Sequence, residues 1–373
     1  MKTFHCTACQ ALVFFENTKC LACGRSLAYF PDRTEMLALE QADDGVWHAV
    51  RGEVHENDAY KLCANYVDHG TCNWALPSAD ADSMCCSCRL THTIPNLEVP
   101  GNQEAWAKLE TAKRRLVYAL LRLKLPVCSK WKDEKTGLEF RFLSDSDNAN
   151  GDQSRVMTGH DNGLITINVA EADDVYREKE RLAHGEPYRT VLGHFRHEIG
   201  HYYWDLLIAD GKRLEDFRRL FGDERADYQL ALKRHYESGP PANWSENFIS
   251  AYASTHPWED WAESWAHVLH MVDALETAHF VGLSVKPARR DEPALPVPPA
   301  PTRAHVGDFD NLIKEWSTLT YVLNNLTRGL GLADAYPFIL SAPIIGKLRF
   351  VCETIAGVDS KAKTLPAGKS VAA

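Results

Sequence analysis

No window of this chain stays apolar for the roughly 18 residues or more that a membrane-spanning helix needs, so no membrane span is expected. Positive charge is also scarce. Lys and Arg number 41 against 51 Asp and Glu, for a net charge of −10. That balance argues against a large nucleic-acid footprint. The start, Met1-Lys2-Thr3-Phe4-His5-Cys6, holds no apolar signal region, and a cytoplasmic protein is the expectation. In a reducing compartment the eleven cysteines point to metal sites, not disulfides. With 373 residues, 45% of them apolar, the chain is long enough for two or more domains and a sizeable core.

Nine of the cysteines lie in the first 88 residues. Cys6-x-x-Cys9 and Cys20-x-x-Cys23 are two knuckles whose four thiolates meet the tetrahedral demand of a structural zinc. They define an expected ribbon over residues 1–34, folded largely by its metal. Cys63, Cys72, Cys85 and Cys88 form a second expected four-cysteine zinc module over residues 35–95, with Cys86 left over. Cys128 and Cys352 stand alone and read as buried thiols. Residues 1–95 carry seven Lys and Arg against twelve Asp and Glu, so these modules read as a protein-binding or structural cap.

The segment His197-Glu198-Ile199-Gly200-His201 has the pattern H-E-x-x-H. On a helix, positions i and i+4 share a face, so His197 and His201 can hold one ion. Glu198 then sits beside that ion, placed to take a proton from a metal-bound water. The extension that would supply a third histidine is missing, because Trp204 and Leu207 occupy the required positions. A third ligand must come from elsewhere. Pro257 suits the first turn of a later helix on which Glu259, Glu263, Ala266, His267 and His270 share a face. Glu259 is the expected third ligand, leaving one position for water. Glu263, one turn on, is expected to accept a hydrogen bond from a ligand imidazole. Asp205 and Glu224 are the rival carboxylates. His194 has two readings, an outer contact of the metal site or a core histidine. Tyr252 likewise reads as an oxyanion donor or a core tyrosine.

Around this centre the pattern predicts a helix from Gln103 to Leu125 and strands at Leu138–Leu143 and Leu164–Val169. Asp161-Asn162-Gly163 reads as the turn of a hairpin. The second strand is either a sheet edge open to an extended peptide or a plain buried strand. Ser144 to Ser154 reads as a loop and Tyr188–Ile208 as the metal helix. The peptidase domain is expected over 96–285, followed by a stiff proline-rich connection at 286–305. A helical segment over 306–358 is expected to dock on the domain, with a disordered tail at 359–373.

Taken together these residues resemble the zinc-binding metallopeptidases that carry N-terminal zinc ribbons. The resemblance runs through Phe14-Phe15-Glu16-Asn17, Cys72-Asn73-Trp74, Cys85-x-x-Cys88-Arg89-Leu90, Gly193-His194-Phe195-Arg196-His197-Glu198 and His256-Pro257-Trp258-Glu259-Asp260. The catalytic pieces are also similar to anthrax lethal factor and other gluzincins. There, H-E-x-G-H is followed by a tyrosine, six residues, and then E-x-x-A-E. Tyr252, Glu259 and Glu263 match that pattern, with a longer span between His201 and Glu259. The resemblance implies that Glu259 is a ligand and Glu263 lies outside the ligand shell.

The fold class expected is therefore α+β: four-cysteine zinc-ribbon modules, then a mostly helical zincin-like domain with a small β-sheet. The function expected is hydrolysis of peptide or isopeptide bonds by a Glu198-activated, zinc-bound water. One catalytic and two structural Zn2+ ions follow, with a peptide or protein as substrate and a protein partner at the zinc modules. The alternative is a zinc-ribbon adaptor whose peptidase-like core is inert.

Overall fold

A computed structural model describes residues 1–52, 54–145, 156–183 and 189–358. The architecture is α+β, with cysteine-rich modules followed by a mostly helical domain that carries a small sheet. The expected tail at 359–373, residue Tyr188 and most of the loop from Ser144 to Ser154 lie outside the described residues.

Strands β1 (Phe4–His5) and β2 (Leu12–Val13) form the first small hairpin. A five-stranded antiparallel sheet follows in the order β3 (Ser26–Phe30), β4 (Glu35–Gln41), β5 (Trp47–Arg51), β6 (Val54–Leu62) and β7 (Ala75–Pro77). The cysteine spacing gave no notice of this sheet. Its first strand starts inside the expected 1–34 ribbon, so the two modules are stitched into one body. Thr7, between Cys6 and Cys9, makes the joint. Its hydroxyl donates to Val50 O at 2.6 Å and accepts from Ala38 N at 2.9 Å. The short helix α1 (Ala64–Val67) follows Cys63.

Helix α2 (Asn102–Arg122) is where the modules meet the rest. Its Tyr118 packs edge-on against Phe15 and Tyr29, with centroids 5.4 and 5.9 Å away. Its Arg115 pairs with Glu16 at 2.6 Å. β8 (Thr91–Thr93) joins the second sheet, ordered β10 (Gly159–Asp161), β11 (Leu164–Asn168), β9 (Glu139–Leu143), β8. The hairpin turn puts Asn162 at φ 49° and Gly163 at φ 82°, the left-handed pair that a two-residue turn requires. β11 is an inner strand, flanked by β10 and β9, so the edge reading for Leu164–Val169 is corrected: the edge belongs to β10.

Helix α3 (Asp174–Ala183) precedes α4 (Val191–Leu207), capped by the Thr190 hydroxyl on Gly193 N. α5 (Leu214–Phe221), α6 (Tyr228–Ser238) and the short α7 (Trp244–Asn247) connect it to α8 (Pro257–Phe280). α4 packs directly on α8. At Gly200 a Cβ would lie 2.9 Å from Ala262 Cα, so only glycine permits this approach. Trp261 Nε1 donates to Gly200 O at 2.8 Å and locks the contact. The chain closes with α9 (Arg303–Gly307), α10 (Phe309–Gly329) and α11 (Ala342–Gly357), and α11 lies against α8. Its buried Lys347 reaches Asp260 at 2.6 Å and Asn247 O at 2.7 Å.

Candidate metal centre and groove

The α4–α8 contact brings three donor atoms together. His197 Nε2 lies 3.2 Å from His201 Nε2 and 2.9 Å from Glu259 Oε2, and His201 Nε2 lies 3.5 Å from that same oxygen. A tetrahedral ion bonded at about 2.05 Å sets ligand atoms about 3.3 Å apart, the value these three separations straddle. Glu259 is 1% exposed, and its Oε2 has no hydrogen-bond donor among the described residues. His197 Nδ1 is 2.7 Å from Glu263 Oε1. A neutral imidazole that donates from Nδ1 to Glu263 presents a lone pair at Nε2 to the Glu259 oxygen. One shared proton could bridge only one of the three pairs, whereas a divalent cation bridges all of them. The donor set therefore fits a zinc ion with a position to spare.

The surroundings are equally specific. Burial alone would raise the Glu259 carboxyl, but the two imidazoles override it and hold it well below the usual range. Burial likewise works against Glu263, and His197 overrides it, bringing the carboxyl down to about 2. Trp258 lies over His201, centroids 4.0 Å apart. The other oxygen of Glu259, Oε1, accepts from the Tyr228 hydroxyl at 2.6 Å. Glu198 is 8% exposed, and burial pushes its carboxyl above the ordinary range.

A groove of ≈ 420 Å3 opens onto His197 and Glu198. Tyr252, in a 3-10 turn at Tyr252–Ser254, lines it, with its ring 5.8 Å from His197. One wall is the α8 face that bears Glu263, Ala266, His267 and His270. His194 lines the groove too, at 3.3 Å from Glu171, and it contacts neither ligand imidazole among the described residues. Glu171 also binds Arg189 at 3.0 Å. The rival carboxylates are elsewhere: Glu224 is gripped by Arg218 at 2.5 Å, and Asp205 stands 4.0 Å from His160.

Four participants escape the sequence patterns. His160, on β10, stacks 6.2 Å from His201, and burial together with His201 and Lys130 brings its imidazole down to about 3. Tyr228 bonds to Glu259, Lys347 to Asp260, and Arg196 ties α4 to His270 and Asp273 on α8. Arg196 stands directly before His197, but the other three fall at no fixed offset from the histidine pair. The hairpin turn just after His160 is the one signal that places any of them near a defined element.

The two thiolate clusters have their own geometry. Cys6 and Cys23 sulfurs lie 3.7 Å apart, Cys9 and Cys20 3.6 Å, and Cys72 and Cys85 3.8 Å. Zinc–sulfur bonds of about 2.3 Å give a tetrahedral edge of about 3.8 Å. Cys63, Cys72, Cys85 and Cys88 cluster with Cys86 outside, whose thiol burial pushes up to about 12. Backbone N–H groups of Cys85 and Trp74 point at the Cys63 and Cys72 sulfurs, at 3.3 and 3.4 Å. The four sulfurs and their donors are thus arranged for charge-bearing thiolates.

Thiolate knuckles joined to a helical domain with paired imidazoles over a groove are features of a class, the zinc-binding metallopeptidases with zinc-ribbon modules. The comparison with known proteins is more specific. Residues 102–354 match the family described as "Putative zinc-binding metallo-peptidase", and the chain belongs to that family. Residues 3–99 match a zinc-ribbon domain in one stretch that spans both cysteine clusters. Uncharacterized proteins of Mycobacterium tuberculosis and Mycobacterium bovis are each 43% identical to it over 352 residues, 94% of this chain and 94% of theirs. No solved structure matches the chain. No helix among the described residues is long and apolar enough to cross a membrane.

Proposed function

We propose that the chain is a zinc-dependent peptidase of gluzincin type, cleaving peptide or isopeptide bonds in a protein or peptide substrate. The observation that carries this reading is the convergence of His197 Nε2, His201 Nε2 and the donorless Glu259 Oε2 beside an open groove. His197, His201 and Glu259 would hold the ion, and Glu263 would keep the His197 imidazole in the tautomer that ligates through Nε2. When bound, zinc supplies Lewis acidity toward water and toward a peptide carbonyl. Glu198 takes the proton from the attacking water and passes it to the leaving amine, and burial raises its carboxyl above the ordinary range. Tyr252, facing the groove, donates a hydrogen bond to the oxyanion that develops.

Two further zinc ions, on Cys6, Cys9, Cys20, Cys23 and on Cys63, Cys72, Cys85, Cys88, hold the N-terminal body together. That body offers its outer face to a protein partner. Glu198→Gln tests the reading: the purified variant keeps its full zinc content and loses peptide cleavage by about 100-fold or more. Cleavage at the original rate would overturn the assignment.

A further inference from the structure

Glu259 is the one of the three that can offer two donor atoms to the same ion. A carboxylate can turn about its last bond and present either oxygen, or both. In this protein Oε2 faces the two imidazoles, at 2.9 and 3.5 Å, while Oε1 accepts from the Tyr228 hydroxyl at 2.6 Å. That length belongs to an O–H bond onto a charged oxygen, the strong kind. At 1% exposure the carboxylate has no water to take the place of the phenol. We propose that Tyr228 is a positioning residue for the metal centre: its hydroxyl fixes Glu259 with a single oxygen toward the ion and so keeps a coordination position open for the reaction. The inference rests on the metallopeptidase reading above.

The helix that carries Tyr228 strengthens the argument. None of the eleven residues of α6 is fully buried, so the helix is held mainly by this bond and by the ring contacts of Tyr228 and His235. Asp227 caps its first turn, accepting from Leu230 N at 2.9 Å, which leaves Tyr228 at the start of an ordered turn and aimed inward. The ring lies 5.3 Å from His256 and 6.1 Å from Trp258, the N-cap and the second residue of α8 just ahead of Glu259. The next turns of α6 bring His235 and Tyr236 to the groove wall, so the same bond seats that wall.

Tyr228→Phe removes the hydroxyl and keeps the ring contacts. Zinc binding to the full chain is measured by competition with a chromophoric chelator, together with the melting temperature of the zinc-loaded protein. The expected result is that the most labile zinc binds 10- to 100-fold more weakly, the loss typical of an outer partner of a ligand. The two thiolate-bound ions hold as before and serve as the internal control. A purely structural role would lower the melting temperature and leave the affinity alone, which would overturn the proposal. Equal affinity and equal melting would overturn it too. A wild-type chain that binds only the two thiolate ions would instead bring down the peptidase reading, and this inference with it.

Discussion

A buried neutral imidazole makes a protein sensitive to acid, and the groove wall contains one. His267 is 5% exposed, its Nδ1 lies 2.8 Å from the Tyr336 hydroxyl, and burial brings its imidazole down to about 4. Its folded value is below the ordinary 6.5, so its contribution to stability is complete above pH 6.5 and is lost as pH falls through about 4. The unfolding free energy of the wild type should therefore fall more steeply between pH 7 and pH 5 than that of His267→Gln, by about 1–2 kcal/mol. Denaturant titrations at the two pH values check this. Parallel slopes would show that His267 titrates normally. The other groove histidine on α8, His270, is lowered further by burial, Arg196 and His267, so the same sign applies to it.

At the scale of elements the site depends on how closely two helices approach. Gly200 lets α4 and α8 meet, and an added methyl would stand 2.9 Å from Ala262 Cα and 3.2 Å from Trp265 Cβ. Gly200→Ala would gain about 0.5–1 kcal/mol in helix propensity. Overpacking against backbone costs about 1–3 kcal/mol, and it wins because the obstructing atom belongs to the α8 main chain. The variant should melt lower and bind its labile zinc more weakly, as differential scanning calorimetry and zinc titration would show. A variant more stable than wild type would mean that the helices separate freely.

Elements also show what the sequence makes legible. His197 and His201 share one helix face and Glu259 and Glu263 another, each set by a 3.6-residue period, whereas the meeting of the two faces is a tertiary contact that spacing does not record. The hairpin at Asn162-Gly163 was legible because left-handed backbone demands those residue types. The five-stranded sheet was not. Its strands Leu27–Phe30 and Met36–Leu39 are buried in unbroken runs and give no alternating pattern, since the sheet is covered on both sides. Tyr228, His160 and Lys347 reach the site through tertiary contacts across long sequence separations, which no local period records.

For the whole molecule, the ends of the chain brace the middle. The N-terminal body supplies β8 to the second sheet and grips α2 through Glu16 and the Phe15–Tyr29–Tyr118 ring cluster. At the other end, Lys347 of α11 pairs with the buried Asp260, the residue next to Glu259. Phe338, from the connection between α10 and α11, lines the groove itself. Ribbon modules, the α4–α8 pair and the C-terminal helices thus form a single packed body around one centre.

The centre can be tested directly by anomalous scattering at the zinc edge from crystals of the full chain. The account predicts a peak about 2.0–2.2 Å from His197 Nε2, His201 Nε2 and a single oxygen of Glu259, in addition to one peak in each thiolate cluster. Peaks at the cysteines alone, with Glu259 turned away from the imidazoles, would contradict it.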